Sequence, residues 1–177
     1  SLITNDIVYE PHSDMIYASV PSVVGVERGN TITPIDPYTG ALGDSVFISS
    51  EPSLMALADD GSRIYVASES TNLVTPFLLD TLTPGAAFAI GSGDRRVDDL
   101  EVLPGDATAL AVSRRMGNTN KGFAFFIDGI QLPNASSESA RYDRIEFGND
   151  PNVLYGHASS LSERDFNAFE VDWSPTG

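Results

Sequence analysis

Residues 59–68 of the chain read Asp-Asp-Gly-Ser-Arg-Ile-Tyr-Val-Ala-Ser, and this stretch decides the fold. It places an Asp-Gly turn between two apolar runs, which is the strongest short-range sequence signal for a β-hairpin. Similar hairpins begin near Ile7, Leu100 and Ile145. The unit therefore repeats roughly every 45 residues, a period typical of folds in which each repeat contributes several short strands.

Each repeat has room for four strands, a to d, separated by turns rich in Gly, Pro and Asp. In the second repeat strand b is predicted over residues 63–68 and strand d over 86–90. In the third repeat strands a and c are predicted over 99–103 and 122–127, and in the fourth strand a over 144–147. This pattern predicts an all-β fold, a β-propeller with four-stranded antiparallel blades stacked around an axis. The chain forms a single propeller domain or a fragment of one, with blades at approximately residues 5–50, 52–91, 97–133 and 143–177. No segment has a helical apolar period of ten or more residues, so we expect almost no helix.

The fourth repeat stops before an outer d strand, and the first residues align with a loop, so they cannot supply that strand. We therefore expect either part of a ring with more blades or an open edge that another chain or segment covers. Aromatic side chains on the c strands are predicted to pack between blades. They are Phe123, Phe125, Phe126, Phe166 and Phe169.

The charge is the strongest compositional signal. Twenty-five acidic and ten basic residues give a formal net charge of −15, which disfavours nucleic acid and anionic membrane surfaces as partners. No apolar run is long enough for a membrane helix, so membrane insertion is not expected. Cysteine is absent, which removes thiol nucleophiles and zinc-thiolate sites.

Two short motifs resemble a known family. Residues 59–68 resemble the repeat of bacterial propellers named for a Tyr-Val-Thr-Asn (YVTN) signature, a group that also resembles the lactonase-like propellers. The strand ends Ile-Asp-Pro-Tyr-Thr-Gly at 35–40 and Val-Asp-Trp-Ser-Pro-Thr-Gly at 171–177 look like the strand-Asp-turn-Gly pattern of that family. The resemblance implies a secreted or envelope-associated propeller used for binding or as a structural module, and it places no catalytic residue here.

Four of the nine arginines fall at one rim of the predicted third blade: Arg95, Arg96, Arg114 and Arg115. Arg95 and Arg96 are expected in the d–a loop that enters this blade. Arg114 and Arg115 are expected at the end of strand b, where the b–c loop begins. Guanidinium groups bind carboxylates in a bidentate manner, so this cluster is a candidate site for a small anion or a protein partner. The alternative is local neutralisation by Asp94, Asp98 and Asp99.

Strand a of a propeller blade lines the central channel, so Glu101 and Glu146 are candidate channel carboxylates. If they point inward, a cation or water must solvate them. No spacing of Asp residues matches a dedicated calcium loop, and the two histidines fall near opposite faces. We therefore predict no metal site and no cofactor.

These features favour a non-enzymatic propeller module, extracellular or in the cell envelope, that works in binding or assembly. Two alternatives stay open. One is a lactonase-like hydrolase that uses the channel carboxylates and a divalent ion. The other is a self-assembling subunit in which a neighbour donates the strand missing from the last blade.

Overall fold

The computed structural model describes residues 1–133, 142–159 and 165–174. Sixteen β-strands lie in these residues, in four antiparallel sheets that we call blades 1 to 4. The helical content of the described ranges is one 3-10 turn at Ser22–Val24, and no helix in them is long and apolar enough to cross a membrane. The predicted all-β class is confirmed.

The strands of each blade are hydrogen-bonded in chain order, with the first strand innermost. Blade 1 contains β1 (Asp6–Glu10), β2 (Met15–Val20), β3 (Thr31–Ile35) and β4 (Val46–Phe47). Blade 2 contains β5 (Pro52–Leu57), β6 (Arg63–Ser68), β7 (Leu73–Leu78) and two short outer strands, β8 (Thr83–Pro84) and β9 (Phe88–Ala89).

Blade 3 contains β10 (Arg95–Leu103), β11 (Asp106–Met116), β12 (Thr119–Ile127) and β13 (Ile130–Gln131). Blade 4 contains β14 (Arg144–Phe147), β15 (Val153–His157) and β16 (Phe166–Glu170). Within the described residues blade 4 therefore has three strands. The inner strands are neighbours in sequence order, because β1 contacts β5, β5 contacts β10 and β10 contacts β14.

Three apolar clusters hold the blades together face to face. The cluster between blades 1 and 2 includes Tyr17, Ile64 and Phe77. The cluster between blades 2 and 3 includes Leu110 and Phe126, and the cluster between blades 3 and 4 includes Phe123, Phe125 and Leu154. Full burial of one such side chain stabilises the fold by roughly 1.5–3 kcal/mol, so the joints between blades form the core of the molecule.

The strands of blade 3 are longer than the sequence predicted. Strand a was expected from Asp99 and begins at Arg95, and strand c was expected from Gly122 and begins at Thr119. The cause is a tight turn after Met116, where Gly117 adopts a positive φ of 58° that glycine takes without steric cost. Irregular register between Ser113 and Arg115 accommodates the extension.

A proline and a glycine interrupt the outer edge of blades 1 and 2 in the same way. Pro34 and Pro76 lie in the third strand, and their carbonyls accept the N–H of Gly43 and Gly85, at 2.8 and 2.7 Å. Proline offers no N–H to the next strand, so the outer strand cannot pair continuously. The sequence predicted one strand over residues 86–90, whereas the structure has two pieces, β8 and β9.

We expect Gly43→Ala to destabilise the protein by about 1–2 kcal/mol. A Cβ atom at residue 43 would lie 2.8 Å from Cγ of Pro34, and a proline ring cannot rotate away. Urea unfolding measures the loss. In the Pro34→Ala background the same substitution should cost much less, and equal costs in the two backgrounds would show that the ring contact is not the cause.

Candidate functional site

A cavity of about 350 Å³ opens where the inner strands of all four blades begin. We call it the mouth. Blade 1 contributes Asn5, blade 2 contributes Glu69, blade 3 contributes Asp98 and Arg115, and blade 4 contributes Arg144. In the described part of the chain this cavity is lined from every blade, so a ligand bound there would contact the whole arc.

Arg115 bridges two carboxylates at the mouth. Its guanidinium pairs with Glu69 of blade 2 and, at 2.9 Å, with Asp98 of its own blade. Burial raises the pKa of Asp98 above its ordinary value, and the hydrogen bond from Asn120 and the charge of Arg115 oppose that rise. Two carboxylates thus neutralise the charge of Arg115.

Two further arginines of the predicted cluster bind backbone carbonyls of blade 2 and of the link that follows it. Arg95 and Arg96 lie in strand β10, not in the predicted d–a loop, because β10 begins earlier than expected. Arg96 donates from Nε to the carbonyl of Glu69 at 2.7 Å and from Nη2 to that of Ser70 at 3.1 Å. Arg95 donates to the carbonyl of Ser92 at 2.8 Å, in the link that leads into β10.

Arg114 lies inside the joint between blades 2 and 3. It is 4% exposed, and its Nη1 donates to the carbonyl of Ile90, at the end of the outer edge of blade 2, at 3.1 Å. The acceptors of this cluster therefore include backbone carbonyls and the carboxylates of Glu69 and Asp98. Of the three predicted neutralising aspartates, Asp98 contacts the cluster, while Asp99 binds a backbone N–H of blade 4. The anion-binding role of the cluster stays a prediction.

A second cavity, of about 230 Å³, lies further along the inner strands of blades 3 and 4. We call it the inner cavity. Glu101 of β10 and Glu146 of β14 both line it, so the structure brings the two predicted channel carboxylates to one cavity. Its other polar or aromatic lining residues are Asp99, Arg144, Tyr155, His157 and Phe166. Arg144 lines both the mouth and the inner cavity.

The inner cavity changes the protonation of Glu101. Burial, followed by the charges of Glu146 and Asp99, raises the pKa of Glu101 from 4.5 to about 8. Burial also raises the pKa of Asp99 above its ordinary value. At neutral pH Glu101 is therefore mostly protonated and can donate a hydrogen bond. Among the described residues no group of three or more His, Cys, Asp or Glu is placed to hold a metal ion.

Sequence reasoning missed the aromatic wall of the inner cavity. Tyr155 and Phe166 stack with ring centroids 5.7 Å apart and an interplanar angle of 12°. Phe166 was predicted to pack between blades, yet it is 66% exposed, because it lies on the face of blade 4 that no described blade covers. The alternation of side chains along β15 and β16 was a usable signal, since it places Tyr155, His157 and Phe166 on one face.

Two aspartates tie consecutive inner strands together. Asp6 of β1 accepts the backbone N–H of Met55 in the next blade at 2.8 Å. Asp99 of β10 accepts the N–H of Ile145 in blade 4 at 2.9 Å. Each bond satisfies an N–H on the inner edge of a sheet, where no further strand is present.

A serine stands opposite each of these aspartates and makes a second tie. Ser19, the strand partner of Asp6, donates to the carbonyl of Ser53 at 2.7 Å. Ser113 is the strand partner of Asp99, and it donates to the carbonyl of Tyr142 at 2.5 Å. Leu54 and Ala67 stand at the corresponding positions of blade 2, and there the arginine cluster makes the tie to blade 3.

We expect Asp99→Ala to lower the free energy of unfolding by about 2 kcal/mol, because it leaves the N–H of Ile145 without its acceptor. Asp99→Asn keeps a side-chain oxygen and should lose much less. Urea unfolding gives the stability, and amide hydrogen exchange at Ile145 gives the local effect. Unchanged exchange at Ile145 in the alanine variant would contradict this role.

The sequence matches no protein-family model. No curated protein is similar to it in sequence. Among solved structures, the chain is similar to a Bacteroides fragilis protein whose assignment as a 6-phosphogluconolactonase is provisional. The TM-score is 0.72 at 16% identity, over 96% of this chain and 51% of that one.

Two further structures are similar at lower scores. The β-propeller domain of Cps50 (Swd1) from Myceliophteria thermophila gives a TM-score of 0.63 at 12% identity, over 89% of this chain and 49% of that one. The extracellular domain of a provisionally assigned one-component system from B. thetaiotaomicron gives 0.63 at 12% identity, over 95% and 20%. This chain thus spans about half of the first two structures and a fifth of the third.

Likeness at these identities shows the fold alone. The chain has a β-propeller fold, and in the residues that the structure describes its four blades form an arc that does not close into a ring. The predicted propeller is confirmed, and so is its likeness to lactonase-like propellers at the level of fold. The finer YVTN resemblance stays a prediction from short motifs.

Proposed function

We propose that this propeller is a non-enzymatic binding module that takes a basic segment of a protein partner at the mouth and the inner cavity. The observation that carries the proposal is the lining of the mouth, which draws on all four blades. Such convergence on the channel gives a ligand many contacts and gives the protein a single preferred site.

The charge of the two cavities favours a cation. Besides the mostly protonated Glu101, four carboxyl groups line them, those of Glu69, Asp98, Asp99 and Glu146, against the two guanidinium groups of Arg115 and Arg144. The net charge of −15 adds a long-range attraction for basic partners. Tyr155 and Phe166 offer stacked aromatic faces, which attract Lys and Arg side chains through cation–π contacts.

An extracellular or envelope setting fits this module. Strong acidity keeps such a protein soluble at high concentration, and one structural neighbour is itself an extracellular domain. Both observations support the setting without depending on the binding site.

A display selection of random hexapeptides against the wild-type protein tests the proposal. We expect the enriched peptides to carry Lys or Arg, to bind more weakly as salt rises, and to lose affinity about tenfold in Glu69→Ala. Glu27→Ala is the matched control, because it removes another exposed glutamate that lies outside both cavities. Enriched peptides that bind both variants equally would overturn the proposal.

One observation favours a second function, a lactonase-like hydrolase. Glu101, with its pKa of about 8, resembles a carboxyl tuned for proton transfer near neutral pH, and a neighbour is provisionally assigned as a lactonase. In that alternative Glu146 would hold the divalent ion, and water or substrate would complete its coordination, because Glu101 cannot both ligate the ion as a carboxylate and keep the proton that it transfers. Hydrolysis of a sugar lactone that disappears in Glu101→Gln and on chelation would establish it. We expect no turnover in the wild-type protein.

A further inference from the structure

A third cavity, of about 350 Å³, lies at the joint between blades 2 and 3. We call it the joint cavity. Its lining residues all fall between positions 63 and 129, which the structure describes without a gap. It is at the opposite end of the blades from the mouth, because Arg63 opens β6 whereas Glu69 of the mouth directly follows that strand. Its volume is near the lower end of the range typical of small-molecule sites.

The interrupted outer strand of blade 2 makes room for the joint cavity. Strand β8 ends at Pro84 and β9 begins at Phe88, and the three small residues between them, 85 to 87, line the cavity. The bond from the Gly85 N–H to the Pro76 carbonyl, at 2.7 Å, holds this interruption in place. The proline that prevents continuous pairing therefore also leaves space beside the strand.

One wall of the joint cavity is aromatic and firmly packed. The ring of Phe88 contacts those of Tyr65 and Phe126, with centroids 6.3 and 5.2 Å apart. The hydroxyl of Tyr65 donates to the carbonyl of Ala107 at 2.9 Å. A Cβ atom at Gly129 would lie 3.0 Å from the Phe88 ring, so only glycine lets the turn of blade 3 approach this closely. The wall suits an aromatic ring, which gains from stacking and edge contacts.

The joint cavity also holds one guanidinium and one carboxylate. Arg63 lines it from blade 2, and Asp128 lines it from blade 3. The structure shows no ion pair between these two side chains. The Nε of Arg63 is buried and has no hydrogen-bond partner in the described part of the chain. Since a buried N–H without an acceptor is costly, an acceptor atom of a ligand would be favoured beside Arg63.

The propeller fold itself does not require this arginine. Met15 opens β2 of blade 1 as Arg63 opens β6 of blade 2, and both blades have the same proline and glycine at the outer edge. An apolar side chain therefore satisfies the packing at this place. The charge at Arg63 is an addition particular to blade 2, in a chain with few basic residues.

The two charges select the class of ligand. A simple anion that reached Arg63 would also face Asp128 and the net charge of −15. A simple cation that reached Asp128 would face Arg63. A zwitterion satisfies both side chains at once, because each of its charged groups meets an opposite charge.

We propose that the joint cavity binds a free α-amino acid with an aromatic side chain. The carboxylate accepts hydrogen bonds from the guanidinium of Arg63, a pairing that is often bidentate. The ammonium group pairs with Asp128, and the ring packs against Phe88 and Leu78. This site is separate from the mouth, and neither site depends on the other.

Titration of the whole labelled protein with L-phenylalanine, followed by amide NMR, tests the proposal. We expect saturable shifts at Ala86, Phe88 and Gly129. Phenylalaninamide lacks the carboxylate and N-acetylphenylalanine lacks the ammonium group, so each should bind at least tenfold more weakly. These comparisons use the wild-type protein, so they do not depend on how a variant folds.

Variants then assign each charged group of the ligand to one side chain. Arg63→Met and Asp128→Asn should each weaken the binding of phenylalanine about tenfold. Asparagine tolerates the positive φ of 50° that Asp128 adopts, and the amide spectrum of each variant shows whether the fold is kept. Asp128→Asn should not weaken the binding of N-acetylphenylalanine, which has no ammonium group to lose. Asp80→Asn is the matched control, at an exposed aspartate outside the cavity.

Three results would overturn the proposal. One is the absence of saturable shifts at the joint cavity, which would leave water as its occupant. Another is equal binding of the three compounds, since the charges would then play no part. The third is a set of shifts at the mouth that Glu69→Ala abolishes, which would place the amino acid there. We expect Glu69→Ala to bind phenylalanine as the wild-type protein does.

Discussion

Glu101→Gln is expected to make the protein more stable at pH 9 by about 3 kcal/mol. The pKa of Glu101 is raised from 4.5 to about 8 in the folded state, so folding favours the protonated form. The stability that this group contributes is fully present below pH 4.5 and is lost as the pH rises to about 8. Each pH unit between the folded and unfolded pKa of Glu101 corresponds to about 1.4 kcal/mol of stability. The partial exposure of the Glu101 carboxyl group reduces the total effect.

Urea unfolding of wild-type and variant protein between pH 4 and pH 9 measures this effect. The two curves should agree near pH 4 and separate through the window up to pH 8. Glu146→Gln should recover part of the same stability, because the charge of Glu146 is one cause of the raised pKa of Glu101. Glu170→Gln, at an exposed glutamate of β16, is the control. Parallel wild-type and Glu101→Gln curves across the whole range would refute the raised pKa.

Arg114→Ala is expected to lower the free energy of unfolding by about 3 kcal/mol, which is the second large effect. Arg114 is almost fully buried and donates to the carbonyl of Ile90 across the joint between blades 2 and 3. The substitution leaves that carbonyl without this donor and opens a cavity. Arg114→Met fills much of the space, so it should restore the stability lost through packing. The stability lost with the hydrogen bond should stay lost, because methionine offers no N–H donor.

The exposed Arg144 provides the comparison for Arg114. It also donates to a backbone carbonyl of another blade, that of Asp98 at 3.1 Å, but water can replace that bond. Arg144→Ala should therefore cost less than about 1 kcal/mol. Hydrogen exchange of the amides at the joint between blades 2 and 3 should rise in Arg114→Ala alone. Equal costs for the two substitutions would show that Arg114 does not hold the joint.

The fold could be predicted from the sequence because turn chemistry and strand alternation are local. The predicted bounds of β6 and β14 agree with the structure, since an Asp-Gly turn and a turn around Pro151 delimit the strands. The interruption of the outer strand in blade 2 and the extended strands of blade 3 were harder to predict. The interruption at Gly85 depends on a proline in the neighbouring strand, and the extension of β10 depends on the turn at Gly117.

The candidate site was only partly predictable. Glu101 and Glu146 follow from their place on strand a, and the structure brings them to one cavity. The arginine cluster was interpreted from charge alone, whereas its main acceptors are backbone carbonyls such as those of Glu69 and Ile90. A carbonyl acceptor has no signature in the sequence, so its use is visible only in three dimensions.

The ties made by Asp6 and Asp99 did have a sequence signal. Each opens or lies within an inner strand and pairs with a serine on the next strand. The signal is offset by one residue in blade 3, because the register shifts between Val97 and Asp99. A repeat alignment at constant spacing therefore hides it.

Amide shift mapping tests the central claim most directly, namely that one ligand site is built from four blades. A Lys-containing peptide from the display selection is titrated into the labelled protein. The account predicts that the amides of Asn5, Glu69, Asp98 and Arg144, one from each blade, shift together with a single dissociation constant. Shifts confined to one blade, or constants that differ between blades, would contradict it.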